Sequence, residues 1–363
     1  MFHKARGPLA LALFAGVFVG VALGQPPGPQ DRVFYVPKKG APVKDEDAEL
    51  KVDAAGVKLF SEGKQAAVVT VADVVRTYPV DLKEPTRAEA IEPAKLEVAR
   101  DWDKARGGYE ALREKYKTTA PPRVKRWLAF RVAVTTARAA DDTAVDSGWK
   151  EKAEAGLKLL TEYLADHPGG WEAWYATRTA ARISHELGKS EGAAKLWAKQ
   201  AKAPDITPDL KVEAAYQEAD ALMRAGLYKE ADDRASGATK DAAAGTPKER
   251  LKLIALAAKA AMATDPAAGV PALEAEIGKT KDAAVRATGY AMVGELYLAG
   301  KRENTKPRDA MWAILAVEVV YNQDREEVAK AQARLTEVYR QLGDEDRERN
   351  NHDRMRRNRA MLL

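Results

Sequence analysis

Residues 225–232 read AGLYKEAD, between the apolar-periodic run AAYQEADALM and the polar run DRASGATKDAA. A chain rich in good helix formers here inserts a glycine and resumes helical spacing within a few residues. Val212 to Ala225 carries the helical period, and Gly226 permits a turn that a residue with a Cβ resists. Tyr228 opens a second helix, and Ala231 is small enough to let that helix lie close against the first. The stretch predicts a helical hairpin.

Working outward, apolar residues recur three and four apart from about residue 86 onward, the period of amphipathic helices. Breaks such as KTTAPP, DHPGG, LGKS, PDITPD, AGTP, TDPAAG, YNQD and LGDED carry Gly, Pro or Asp/Ser/Thr capping residues, which end or begin helices. The spacing predicts about a dozen helices in series. Alternate helices start near Arg123, Trp171, Asp209, Lys248, Asp282 and Glu326. These starts recur roughly every 34 to 48 residues, the mark of stacked helix pairs.

The block VEAAYQEADALMRAGLYKEADDRASGATK resembles the tetratricopeptide repeat, with small residues at the helix crossing and a Gly-x-Tyr-x-x-Ala turn. AQARLTEVYRQLGDEDRERNN fits the same helix and turn through Leu335, Tyr339 and Gly343. WEAWYATRTAARISHELGKSEGAAKLW keeps Ala181, Gly188 and Ala193 but has Ser190 where the turn tyrosine belongs. ATGYAMVGELYLAGKREN has Gly294 and Tyr297, with its second helix delayed to near Pro307. The resemblance implies an all-α, right-handed solenoid over residues 86–363, of about six helix pairs with a basic C-terminal capping helix. It further implies a partner bound along the concave side by polar and aromatic residues of the first helices. The candidates are Trp174, Arg178, Arg182, Tyr216, Tyr290 and Arg334.

Residues 32–82 differ from the rest. RVFYVP, AELKVD, GVKLFSEGK and AAVVTVADVVRTY place Val, Phe and Tyr at short intervals between Gly, Pro and Lys. Val57 to Phe60, then Ser61 to Lys64, then AAVVTV read as strand, tight turn and returning strand. A β module of three to five short strands is expected, too small to bury much alone. Residues 25–31, QPPGPQD, form a Pro/Gly linker.

The chain has 363 residues, of which 46% are hydrophobic and 31% charged, which excludes wholesale disorder. It opens with the basic MFHKAR, the uncharged PLALALFAGVFVGVAL and small residues at Ala22 and Gly24. That order is the pattern of a secretory signal peptide over residues 1–24. An uncut inner-membrane anchor is the alternative, since the run is just short of the ~20 residues that span a bilayer. A periplasmic or extracellular location in a bacterium follows, with no stable span once the leader is removed. Without Lys4 and Arg6 the net charge is about +3, which gives no footprint for nucleic acid. Cysteine is absent, which excludes disulfides, thiolate metal sites and cysteine nucleophiles.

No chemistry announces itself. His167, His185 and His352 are not spaced as a helical metal pair. Asp141–Asp142 and Asp232–Asp233 sit at helix breaks or on polar faces, where capping and solvation account for them. There is no phosphate loop and no nucleophile elbow. No cofactor and no enzymatic activity is expected. The tryptophans mostly suit gaps between helix pairs. Trp171, just after HPGG, is the first choice for an exposed ring that marks a binding hot spot. The C-terminal Arg347, Arg349, Arg354, Arg356, Arg357 and Arg359 read as a polar capping helix, or else as an anionic contact. The expected function is a non-catalytic protein-binding scaffold in the cell envelope, its partner unidentified. The alternatives are a structural envelope component, or a glycan-binding protein or enzyme built on convergent tryptophans.

Overall fold

The computed structural model describes residues 31–35, 44–53, 56–61, 64–69, 74–78, 82, 86–143, 148–203 and 206–359. The expected leader and the start of the linker fall outside them. Five strands come first: β1 (Asp31–Tyr35), β2 (Lys44–Asp53), β3 (Gly56–Ser61), β4 (Lys64–Val69) and β5 (Val74–Tyr78). They form one antiparallel sheet in the order β4-β3-β2-β1-β5. The expected hairpin is present as β3 and β4, with Ser61 opposite Lys64. Leu59 of β3 is fully buried and shares an apolar cluster with Phe130 and Trp171 of the helices.

Fourteen helices follow: α1 (Thr86–Val98), α2 (Trp102–Lys115), α3 (Pro122–Asp141), α4 (Trp149–Asp166), α5 (Trp171–Glu186), α6 (Ser190–Gln200) and α7 (Pro208–Arg224). The remainder are α8 (Tyr228–Asp241), α9 (Thr246–Ala261), α10 (Val270–Ile277), α11 (Ala283–Leu298), α12 (Pro307–Val319), α13 (Arg325–Leu342) and α14 (Glu345–Arg359). Consecutive helices pack as hairpins, and α3 touches α5, α7 touches α9, α9 touches α11 and α11 touches α13 across neighbouring pairs. The odd helices therefore form an inner layer and the even ones an outer layer. Their starts match the expected ones within two residues. Thr207, Asp282 and Asp324 cap α7, α11 and α13 by accepting from backbone N–H groups two or three residues on, as such residues do.

The turn at Gly226 has a defined hydrogen-bond signature. Gly226 has φ +74°; its N–H donates to Met223 O, and Leu227 N–H donates to Leu222 O, both at 3.0 Å. This is a Schellman ending, which needs a left-handed residue after the helix. The pattern recurs at Gly188 (φ +72°) and Gly343 (φ +70°), where Lys189 N–H donates to Ser184 O and Asp344 N–H to Tyr339 O. Three of the quoted blocks thus share one turn.

Among the described residues there are seven helix pairs, where about six were expected. The additional pair is α1 and α2. Pro93 inside α1 and Gly107–Gly108 inside α2 mask the helical period. They also fit one another: a Cβ on Gly108 would lie 2.6 Å from Pro93 Cγ. The same close approach brings Gly156 of α4 over Ala137 of α3. Small residues at the crossings let the helices pack at short range, and alanine dominates the core. Among the described residues no helix is long and apolar enough to cross a membrane.

The inner groove as candidate binding site

Helix α13 does more than continue the array. It reaches across the inside and touches α5, three pairs back from its neighbour α11. Its acidic first turn (Glu326, Glu327) and Lys330, one turn further on, face α5 and α7. Arg178 of α5 pairs with Glu326 at 2.9 Å, and Gln217 of α7 donates to the same carboxylate at 3.1 Å. Tyr216 of α7 donates to Glu327 Oε1 at 2.7 Å and lies 3.1 Å from the Thr288 hydroxyl of α11. Lys330 Nζ lies 3.2 Å from Asp220 and 2.9 Å from Glu327. Arg224 pairs with Asp220 at 3.2 Å and donates to Lys330 O. Arg334 forks onto Glu295 of α11 at 2.6 and 2.9 Å.

Asp220, Arg224, Glu327 and Lys330 are buried, and their proton affinities follow from what surrounds them. Burial alone would raise Asp220, but Arg224 and Lys330 pull its carboxyl well below the usual range. Burial would lower Lys330, yet Asp220 and Glu327 hold it well above the ordinary lysine value. At His185 the nearby Asp220 carboxylate is outweighed. Burial, with Arg224 beside it, pushes its imidazole down to about 3, so the ring is neutral at physiological pH. Its Nδ1 lies 3.1 Å from the Ser190 hydroxyl.

Two spaces remain around this crossing. A cleft of about 80 Å³ lies beside Arg138, Tyr175, Arg178, Arg182 and Lys330. A larger open groove of about 910 Å³ runs between the α5–α6 turn and helices α13 and α14. His185, Glu186 and Ala333 line both. Cations of the groove include Lys150, Lys189, Lys195, Arg334 and Arg340, against Glu186, Glu191 and Glu337. Several cations are held loosely in exposed pairs: Lys195 with Glu191 at 2.6 Å, Lys189 with Glu154 at 3.0 Å, Arg340 with Glu348 at 2.7 Å. Such pairs contribute about 0–1 kcal/mol, so a partner's carboxylate can replace the resident one at small cost.

The residues singled out from the sequence fall into three places. Arg178, Arg182, Tyr216 and Arg334 meet on the inner layer around α13. Tyr216 is nonetheless fully buried, and Arg182 is committed to Asp141 (2.7 and 2.9 Å) and Glu186 (3.0 Å). Trp171 and Trp174 are not exposed: they retain 4% and 6% accessibility. Trp171 packs edge-on to Phe130 with centroids 5.3 Å apart, and Trp174 does the same to Trp197 at 5.2 Å. The expectation of an exposed ring at Trp171 is corrected, because β3 and α3 cover the start of α5. The convergent tryptophans are core. Tyr290 sits apart, half-buried and stacked on Tyr321 at 5.2 Å. The sequence reading did not single out Lys330, Asp220 or Glu327, and it met His185 only as a histidine without a metal-pair spacing. Spacing of Asp220–Arg224 and Glu327–Lys330 at i,i+4 and i,i+3 was the available signal. Among the described residues no group of three or more His, Asp or Glu is arranged to hold a metal.

Seven helical hairpins, three with the same glycine-ended turn, make the chain a tetratricopeptide-like helical solenoid with a small N-terminal sheet. Among solved structures it is similar to a tetratricopeptide repeat protein from Parabacteroides merdae, at 14% identity and a TM-score of 0.44 over 74% of this chain and 91% of that one. It is also similar to the Rap protein complexed with competence and sporulation factor, at 14% identity and a TM-score of 0.35 over 76% of each. No protein-family model and no curated protein matches the sequence.

Proposed function

We propose that this chain is a non-catalytic interaction scaffold of the bacterial cell envelope, exported by its N-terminal leader, that holds an acidic segment of a partner protein in the inner groove. The observation that carries this reading is the groove itself. It is open, long enough for several residues of an extended chain, and walled by cations, of which Lys189, Lys195 and Arg340 are held in solvent-facing pairs. A preformed helical surface also orders little on binding, so more of the contact energy appears as affinity. Export rests on the basic, apolar and small-residue order of residues 1–24.

The test is site-specific photo-cross-linking in the native envelope. A benzophenone side chain is placed at Lys195 or Arg340 in the groove, and at Lys240 on the exposed outer side of α8 as a control. The proposal expects one or two proteins captured repeatedly from the groove positions and not from Lys240, with contact peptides rich in Asp and Glu. Equal capture from all three positions, or none from any, overturns it.

A further inference from the structure

The outer surface carries a feature that the groove does not use. Five of the seven tryptophans are buried and Trp102 partly so, but Trp312 of α12 is 65% exposed. Val319 at the end of that helix and Val320, its C-cap, are 67% and 56% exposed. At i, i+7 and i+8 these three side chains share one side of the helix. They form a two-turn apolar stripe on a convex face, about 12 Å long at 1.5 Å per residue.

Cations stand at both ends of the stripe. Lys306 and Arg308 are exposed at its Trp312 end. Helix α14 runs alongside, with Arg347 reaching Met311 and Arg354 reaching Glu318. That alignment carries the basic end of α14, including the exposed Arg357, toward the Val319 end of α12. Glu318 is buried and held by Arg354 and Gln332, so among the described acids of α12 only Asp309 stays exposed on the helix.

We propose that this α12–α14 face docks on an anionic lipid surface. The rings and methyl groups would enter the headgroup boundary, and the flanking cations would meet lipid phosphates. Tryptophan favours that boundary because one edge of the ring is apolar and its N–H is wet. A convex stripe suits a deformable plane better than a rigid partner, which would need a matching groove. A symmetric dimer is disfavoured by size, since a stable one buries on the order of 1,200 Å² or more.

Vesicle flotation of the chain beginning at Gln25, and so without its apolar leader, tests this. Vesicles are phosphatidylcholine alone, or phosphatidylcholine with phosphatidylglycerol. Flotation is expected only with phosphatidylglycerol, and is expected to weaken as salt rises. Trp312→Ser should lower partitioning roughly tenfold, and Lys306→Gln/Arg308→Gln/Arg357→Gln should abolish the preference for anionic vesicles. All four side chains are exposed, so circular dichroism should show unchanged folding. Brominated lipid should quench tryptophan emission in the parent chain but not in Trp312→Phe. Absence of flotation with anionic vesicles, or flotation indifferent to Trp312→Ser, overturns the proposal. So does a concentration-dependent dimer that Trp312→Ser turns into monomer, which would make a second copy the occupant.

Discussion

Helices α3–α6 and helices α7–α13 follow one hairpin plan but are held by different chemistry. The first stretch is an aromatic core. Phe130 alone has Trp171, Tyr163 and Tyr175 within 5.3 to 5.9 Å between ring centroids. The second stretch has a core of alanine and aliphatic residues, and it closes on α13 through buried charges. Ring packing buries no charge, so it responds little to pH or to moderate changes in ionic strength. Buried ion pairs are costly to assemble and costly to half-remove. A shared plan therefore gives two halves that should fail in different ways.

The sharpest break in that contrast is Phe130→Ala. It should cost about 3–5 kcal/mol, measured by urea unfolding, with the loss unchanged between low and high salt. Asp220→Ala should cost about 3 kcal/mol, because Lys330 and Arg224 remain buried without their shared carboxylate. Adding Lys330→Met to it should recover most of that loss, which a purely steric role for Asp220 would not allow. The smallest effect is pH dependence through His185. The folded chain keeps it neutral down to about 3, while the unfolded chain protonates it below its ordinary 6.5. Stability should thus be intact above pH 6.5 and fall as pH drops below it, by about 1 kcal/mol at pH 5 for this half-buried ring. Unfolding curves at pH 7 and pH 5 should show that loss, and His185→Gln should remove it.

Much of the architecture was legible because its determinants are local. A glycine after a helix, an Asp or Thr before one, and alanines at the crossing each act within a few residues. Pro93 and Gly108 hid a helix pair because their fit is to each other and not to the helical period. The site was less legible for a physical reason. Whether Tyr216 or Trp171 faces solvent depends on elements more than 70 residues away in sequence, α13 for Tyr216 and β3 for Trp171. Nothing in "HPGGWEAW" announces that a strand residue will cover Trp171. The exposure of Trp312 was equally silent, since it sits among apolar residues in a helix that reads as core.

The crossing of α13 onto α5 and α7 alters how the array comes apart. In an open stack each pair touches only the next, so an end pair can melt without disturbing the middle, and unfolding spreads along a line. Here the seventh pair is tied to the third and fourth by Glu326, Glu327 and Lys330. Releasing the C-terminal pair removes the α13 partners of Arg178, Tyr216 and Asp220 in the middle of the chain. The two ends of that span must therefore melt together, and a string of repeats acquires the all-or-none unfolding of a closed ring.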